Sequence, residues 1–324
     1  MTFAEKHTQT LSTACTLIRK QTDKLAEHLA ELGKTENIES LHQTRVVCRR
    51  LHEALVFFTD CFDPAYVEGW KKTTKKLLRQ LSMPRDLDVQ VEFLEQFIAG
   101  LDSEHRAVRP GIERLLLRQK QCRQKLQKQV VAAAKRFQKK HVLINIRLQI
   151  DKSLYLSEIY PPPESREELL DRLIRYVSPR LKDVQERQSC IDHPQDAEKH
   201  HRLRIAIKKL RYTVEIGNAI LSDALTDYIE SLKEAQTILG ELHDCNVWIE
   251  TIRHFEEEEK QRMLDYAGHT RAFGRLRPGL EYFRQNRMEL RQKRYDQAVT
   301  LIRRQNDDQF LPRLIKTIEQ QGSV

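Results

Sequence analysis

Leu41-His42-Gln43-Thr44-Arg45-Val46-Val47-Cys48-Arg49-Arg50-Leu51 returns later in the same chain as His200-His201-Arg202-Leu203-Arg204-Ile205-Ala206-Ile207-Lys208-Lys209-Leu210, and neither copy holds an acidic residue. One offset carries His42 onto His201, Arg45 onto Arg204, Arg49 and Arg50 onto Lys208 and Lys209, and Leu51 onto Leu210. A second paired phrase follows each copy: Arg85-Asp86-Leu87-Asp88-Val89, then His243-Asp244-Cys245-Asn246-Val247. Asp86 stands 44 positions after His42 and Asp244 stands 43 after His201. Two motifs that keep their spacing predict a structural unit made twice rather than one chance peptide.

Placed on a helical wheel at about 100° per residue, the first phrase separates into two faces. His42, Arg45, Arg49 and His52 fall on one side, with Val47, Leu51, Leu55 and Phe58 on the other. The second phrase does the same, with His201, Arg204, Lys208 and Arg211 against Leu203, Ile207, Leu210 and Val214. Each helix is expected to bury one face and to offer the other to anions.

The rest of the chain is helical in pattern too. With only 10 Gly and 10 Pro among 324 residues, and 40% hydrophobic against 32% charged residues, long helices are favoured over sheets with many tight turns. Apolar residues recur at helical spacing and no alternating strand pattern competes. Helices are expected near residues 4–32, 38–61, 65–82, 86–100 and 105–140, then near 165–190, 196–221, 223–242, 245–267, 278–304 and 308–320. Tyr160-Pro161-Pro162-Pro163 excludes helix continuation and marks the division between halves. The expected fold is all-α: two antiparallel helical bundles from an internal duplication, residues 1–158 and 159–324, related by a pseudo-twofold axis, with a basic groove between or along them.

Net charge is +9, which points to an acidic partner without naming it. Its distribution says more. Lys71, Lys72, Lys75, Lys76 and Arg79 form an acid-free run. Arg114 to Ile150 holds 11 Lys or Arg and no Asp or Glu, with Arg118 and Lys125 on the flank opposite Leu115, Cys122, Leu126, Val130 and Phe137. A solvated face usually mixes signs, because Glu–Lys pairs one turn apart relieve repulsion; four acid-free basic helices call for a neutralising partner.

The six cysteines are scattered without Cys-x-x-Cys spacing, so reduced thiols and a cytoplasmic location are expected. No apolar run reaches transmembrane length, and the first twenty residues lack a signal-peptide core.

Taken together, His42-x-x-Arg45-Val46-x-x-Arg49-Arg50-Leu51 with Arg85-Asp86-Leu87-Asp88-Val89, and His201-x-Leu203-Arg204-Ile205-x-x-Lys208-Lys209-Leu210-Arg211-Tyr212 with Leu239-Gly240-x-Leu242-x-Asp244, resemble the CHAD domain family. The resemblance spans essentially the whole chain. It implies two helical bundles around a basic groove that binds inorganic polyphosphate, and association with polyphosphate granules in bacteria. The second copy departs from the first where Asn246 replaces Asp88.

A bare polyphosphate needs many cations at helical intervals, with Arg forks for bidentate contacts and Lys for point charge. The residues expected to supply them are His42, Arg45, Arg49, Arg50, Lys72, Lys75, Lys76, Arg79, Arg118, Lys125, His201, Arg204, Lys208, Lys209 and Arg211. Asp86, Asp88 and Asp244 are expected to orient these cations, with Asp86 and Asp244 capping helix starts. RNA or DNA ranks second as a partner, because the basic faces carry almost no aromatic residue apart from Tyr212 on which bases could stack. A non-enzymatic binder without cofactor or metal is expected. The competing reading is a metal-dependent phosphohydrolase using His42, His201, Asp86, Asp88 and Asp244; His243-Asp244 resembles an HD phosphohydrolase dipeptide, but its counterpart in the first repeat is Arg85-Asp86.

Overall fold

The computed structural model describes residues 8–32, 38–159 and 166–321, and among these it is all-α. The order is α1 (Thr8–Leu32), α2 (Ile38–Phe57), α3 (Pro64–Gln80), α4 (Ser82–Ala99), α5 (Arg109–Gln138) and α6 (Val142–Ile159), then α7 (Arg166–Arg187), α8 (Ala197–Ile220), α9 (Thr226–Ala267), α10 (Arg277–Asp307) and α11 (Phe310–Gln320). The proline run at 160–163 and the expected helical residues 4–7 lie outside the described residues.

Neighbour relations run in the same order through both parts of the chain. In the first, α1 packs on α2 and α6, α2 on α3, and α4 on α5; in the second, α7 packs on α8 and α11, α8 on α9, and α9 on α10. The two parts meet where α2 touches α8 and where α5 touches α10. Their core is shared: the main apolar cluster runs from Ala14, Ile18, Leu51 and Phe58 through Leu173, Val177, Leu210 and Leu239. A second cluster, also built by both parts, joins Leu94, Ile112 and Leu115 to Trp248, Ile252, Phe255, Leu280 and Phe283.

Three departures from the expected helices have local causes. Pro84 brings no N–H to the ladder, and helix geometry breaks at Leu81 (ψ 0°), so α3 and α4 are separate. The matching position in the second phrase is Leu242, which donates normally, and α9 therefore runs unbroken for 42 residues where two helices were expected. Asp86 consequently sits in the second turn of α4 and Asp244 in the middle of α9, so neither caps a helix start. Finally, a left-handed residue at His141 (φ 52°) turns the chain into α6, whose Val142, Ile146 and Ile150 are buried at one-turn spacing. No helix was expected there.

The basic segment from Arg114 onward is partly neutralised by this packing. Glu259, fully buried on α9, accepts from Arg114 Nε at 2.6 Å and Arg118 Nε at 2.9 Å, and lies 3.1 Å from Arg262 Nη1. On α4, buried Asp88 accepts from Arg123 Nε at 2.5 Å; on α9, Asn246 accepts from Arg291 Nε at 2.7 Å. The Asp-to-Asn departure of the second motif thus keeps the same job, holding an arginine of the next helix.

Candidate anion-binding site

The two repeated phrases meet in space. α2 brings His42, Arg45 and Arg49, and α8, which packs on it, brings His201, Arg204 and Lys208. Their mutual repulsion is visible in their protonation. Burial, then the Arg49, Arg204 and Arg45 charges, pull the Lys208 ammonium down to about 8 from its ordinary 10.5. Burial and the neighbouring Arg49 and Arg85 likewise lower Arg45, with Asp86 opposing. Two buried guanidinium nitrogens, Arg45 Nη1 and Arg204 Nε, have no hydrogen-bond acceptor, and the buried His201 Nδ1 has no hydrogen-bond partner. No carboxylate of the described residues forms an ion pair with Arg45, Arg49, Arg204 or Lys208. A buried donor left unmade costs about 1–3 kcal/mol, so the cluster is built at a cost that a bound anion would remove.

The second phrases line this cluster. Asp86 lies in the field of Arg45, Arg204, Arg85 and Arg49, and Asp244 in that of Arg204, Glu241 and Asp86. Both side chains are exposed, and partial burial raises both carboxyls against the lowering by the neighbouring arginines. Their proximity brings the two motifs within interaction range of each other. His243 faces His201, ring centroids 4.1 Å apart, and burial followed by the His201, Arg204 and Lys208 neighbours pulls it down to about 4. In the first phrase Arg85 holds the corresponding place beside His42, whose pKa is lowered by burial and then by Arg85. At neutral pH these imidazoles are uncharged donors rather than cations.

The remaining expected cations divide. Lys72, Lys75, Lys76 and Arg79 are exposed along α3 and unpaired with any carboxylate of the described residues; Lys75 reaches the field of His52, so this row adjoins the cluster. The corresponding stretch of α9, residues 230–237, carries Glu230 and Glu234 in place of Lys72 and Lys76 and keeps a cation only at Lys233, so the basic rim is one-sided. Arg118 is committed to Glu259, 19 residues beyond Gly240 on α9, or about 28 Å along the helix from where Arg204 Nε packs. Lys125 is exposed in the middle of α5. Arg211 is bound to Glu215 at 2.6 Å and Gln236 at 2.9 Å and lies over Tyr212. Lys209 and Arg50 are exposed; Arg50 lines a different cleft. Asp88 is buried under Arg123 and takes no part in the cluster. Arg85 and His243 are not among the site residues expected from the sequence; the repeat, which sets them beside His42 and His201, is the signal that could find them.

Because Lys208 is depressed, the folded chain holds fewer protons than the unfolded one between pH 8 and 10.5. Its cost to stability is complete below pH 8 and fades as pH rises through that window. An anion that restores the ammonium must bring a proton with it. Polyanion binding at pH 8.5 is expected to take up protons, and calorimetry in buffers of different ionisation enthalpy reads the number; no buffer dependence would remove Lys208 from the contact.

The sequence profile of the CHAD domain matches residues 16–253. Among solved structures, the fold is similar to the crystal structure of the CHAD domain from the plant Ricinus communis, at 18% identity and a TM-score of 0.61, over 90% of this chain and 91% of that one. It is also similar to PptA from Streptomyces chartreusis, at 14% identity and a TM-score of 0.53, over 91% and 99%. No curated protein sequence matches the chain. Among the described residues no helix is long and apolar enough to cross a membrane. A profile match over most of the length, on the same residues that carry the doubled motif, makes this chain a member of the CHAD domain family, a family associated with polyphosphate.

Proposed function

We propose that the chain binds inorganic polyphosphate without chemistry, threading it past Arg45, Arg49, Arg204 and Lys208 and along the α3 row of Lys72, Lys75, Lys76 and Arg79. The observation that carries this reading is the convergence of cations from α2 and α8 with buried, unanswered N–H groups and no paired carboxylate. Closely spaced phosphates suit guanidinium forks. Nucleic acid is less well served, since α2 and α8 present no exposed Phe, Tyr or Trp beside Arg45, Arg49, Arg204 and Lys208: Phe57 is buried and Tyr212 lines a different cleft. Asp88, which a phosphohydrolase of the His42, His201, Asp86, Asp88 and Asp244 kind would use, is spent on Arg123. A cytoplasmic place at polyphosphate granules follows from the same reading.

Titration with long polyphosphate, orthophosphate and single-stranded DNA at two salt concentrations tests it. Many weak contacts with counterion release predict affinity that rises with chain length and falls steeply with salt. Equal affinity for DNA would overturn the choice of ligand. Phosphate release from polyphosphate that requires a divalent metal and disappears in His201→Ala would overturn the non-enzymatic part.

A further inference from the structure

A cleft of about 710 Å³ opens between α1, α2, α8 and the start of α9, away from the uses assigned above. Its origin shows in the repeat. The 159-residue offset that carries His42 onto His201 also carries Gln21 onto Arg180, Arg50 onto Lys209, Ala54 onto Thr213 and Tyr212 back onto Glu53. In the second half Arg180 fills the space between helices, donating to the Lys209 carbonyl at 3.2 Å, to the Thr213 hydroxyl and to Glu53 at 3.3 Å. In the first half the same place is open. Gln21 is too short to cross it, its Oε1 is buried without a partner, and Arg50, Ala54 and Tyr212 line the void.

The lining is amphipathic in a specific way. Leu17, Ala54, Ile216 and Ile229 make an apolar floor, and Tyr212, overlain by Arg211 from outside the lining, offers the rest of its ring. Lys20, Lys24 and Arg50 stand at the cleft, exposed and without a carboxylate partner among the described residues, whereas Lys20 and Lys24 correspond to Pro179 and Asp183 on the filled side. Of the four lining carboxylates, Glu53, Glu215 and Glu230 are held by Arg180, Arg211 and Lys233 respectively, and Asp223 accepts from the Asn218 amide at 2.8 Å. The volume is that of a small-ligand site. Its occupant needs a planar body for the floor and ring, a hydrogen-bonding edge for the Gln21 carboxamide, and an anionic tail for three cations.

We infer that this cleft is a nucleotide site: the base lies against Tyr212, Ile216 and Ile229 with its polar edge at Gln21, and a di- or triphosphate lies on Lys20, Lys24 and Arg50. Bare polyphosphate lacks the planar part and gains nothing from the floor.

Calorimetry of the full chain with ADP, adenosine and tripolyphosphate tests this, with long polyphosphate titrated into the same samples. Saturable binding of one ADP, at least about tenfold tighter than adenosine, is expected. Gln21→Arg, which installs the side chain that fills the other half, is expected to weaken ADP at least about tenfold while leaving long-polyphosphate affinity and the melting temperature in place. Arg45→Ala should do the reverse. The inference is overturned if ADP does not saturate, if tripolyphosphate competes for the cleft as well as ADP does, or if Gln21→Arg leaves ADP binding intact in a chain that still folds. Loss of polyphosphate binding alone would count against the groove and not against the cleft.

Discussion

Replacing Arg45 and Arg204 together by alanine is expected to lower affinity for long polyphosphate by about a hundredfold or more, from charge-assisted contacts worth about 1.5–3 kcal/mol each. Both guanidinium groups are partly withdrawn from water, each holds a buried nitrogen without an acceptor, and the two sit across the α2–α8 contact. Exposed Lys72 and Lys76 on α3 are different. Their contacts form in high dielectric and are screened, so Lys72→Ala with Lys76→Ala should cost only a few-fold and chiefly flatten the salt dependence. The double arginine variant should also melt higher than the parent in the absence of ligand, because like charge with no counterion opposes folding. Arg118→Ala provides the internal control: it disturbs the buried Glu259 cluster, lowers stability, and leaves polyphosphate affinity unchanged. Isothermal titration and thermal denaturation of the same variants separate these outcomes. Affinity within threefold of the parent for the double arginine variant would remove the central cluster from the binding path.

The part of this site that could be read from the sequence is the part governed by spacing. His42, Arg45 and Arg49 share one helical face, their counterparts share another, and only helical geometry is needed to see it. Which basic residues are free could not be read, because that depends on partners far along the chain. Arg118 looked like any other cation in an acid-free run until α9 delivered Glu259 to it, and Arg211 looked like a groove residue until Glu215 and Gln236 took it up. Arg50 and Lys209 are adjacent in sequence to Arg49 and Lys208, but 100° of helical rotation puts Arg50 at another cleft. The division of α3 from α4 rests on one proline, whose absence at Leu242 leaves α9 whole. Capping roles for Asp86 and Asp244 failed with that difference, since a cap is defined by where the helix begins.

A third repeated phrase, Arg109-Pro110-Gly111 and Arg277-Pro278-Gly279, carries the largest expected effect on stability. The first turns of α5 and α10 pass so close that a Cβ on Gly111 would stand 2.1 Å from the Leu276 carbonyl oxygen, and one on Gly279 would stand 1.9 Å from that of Val108. These are backbone atoms, so no rotamer change can make room, and the helices must move apart. They cannot do so freely, because Ile112 and Leu115 on one and Leu280 and Phe283 on the other close the second apolar cluster within a turn of the crossing. Gly111→Ala and Gly279→Ala are each expected to cost about 4 kcal/mol or more, the range reached when a core is forced open. The requirement is for close approach and not for an unusual backbone angle, since neither glycine has positive φ. Gly69→Ala in α3, where a Cβ would meet nothing within 4 Å, should stabilise by about 0.5–1 kcal/mol through the ordinary helix preference for alanine. Urea denaturation of the three variants decides the matter: a Gly279→Ala chain as stable as the parent would mean that the α5–α10 crossing is not closed as described.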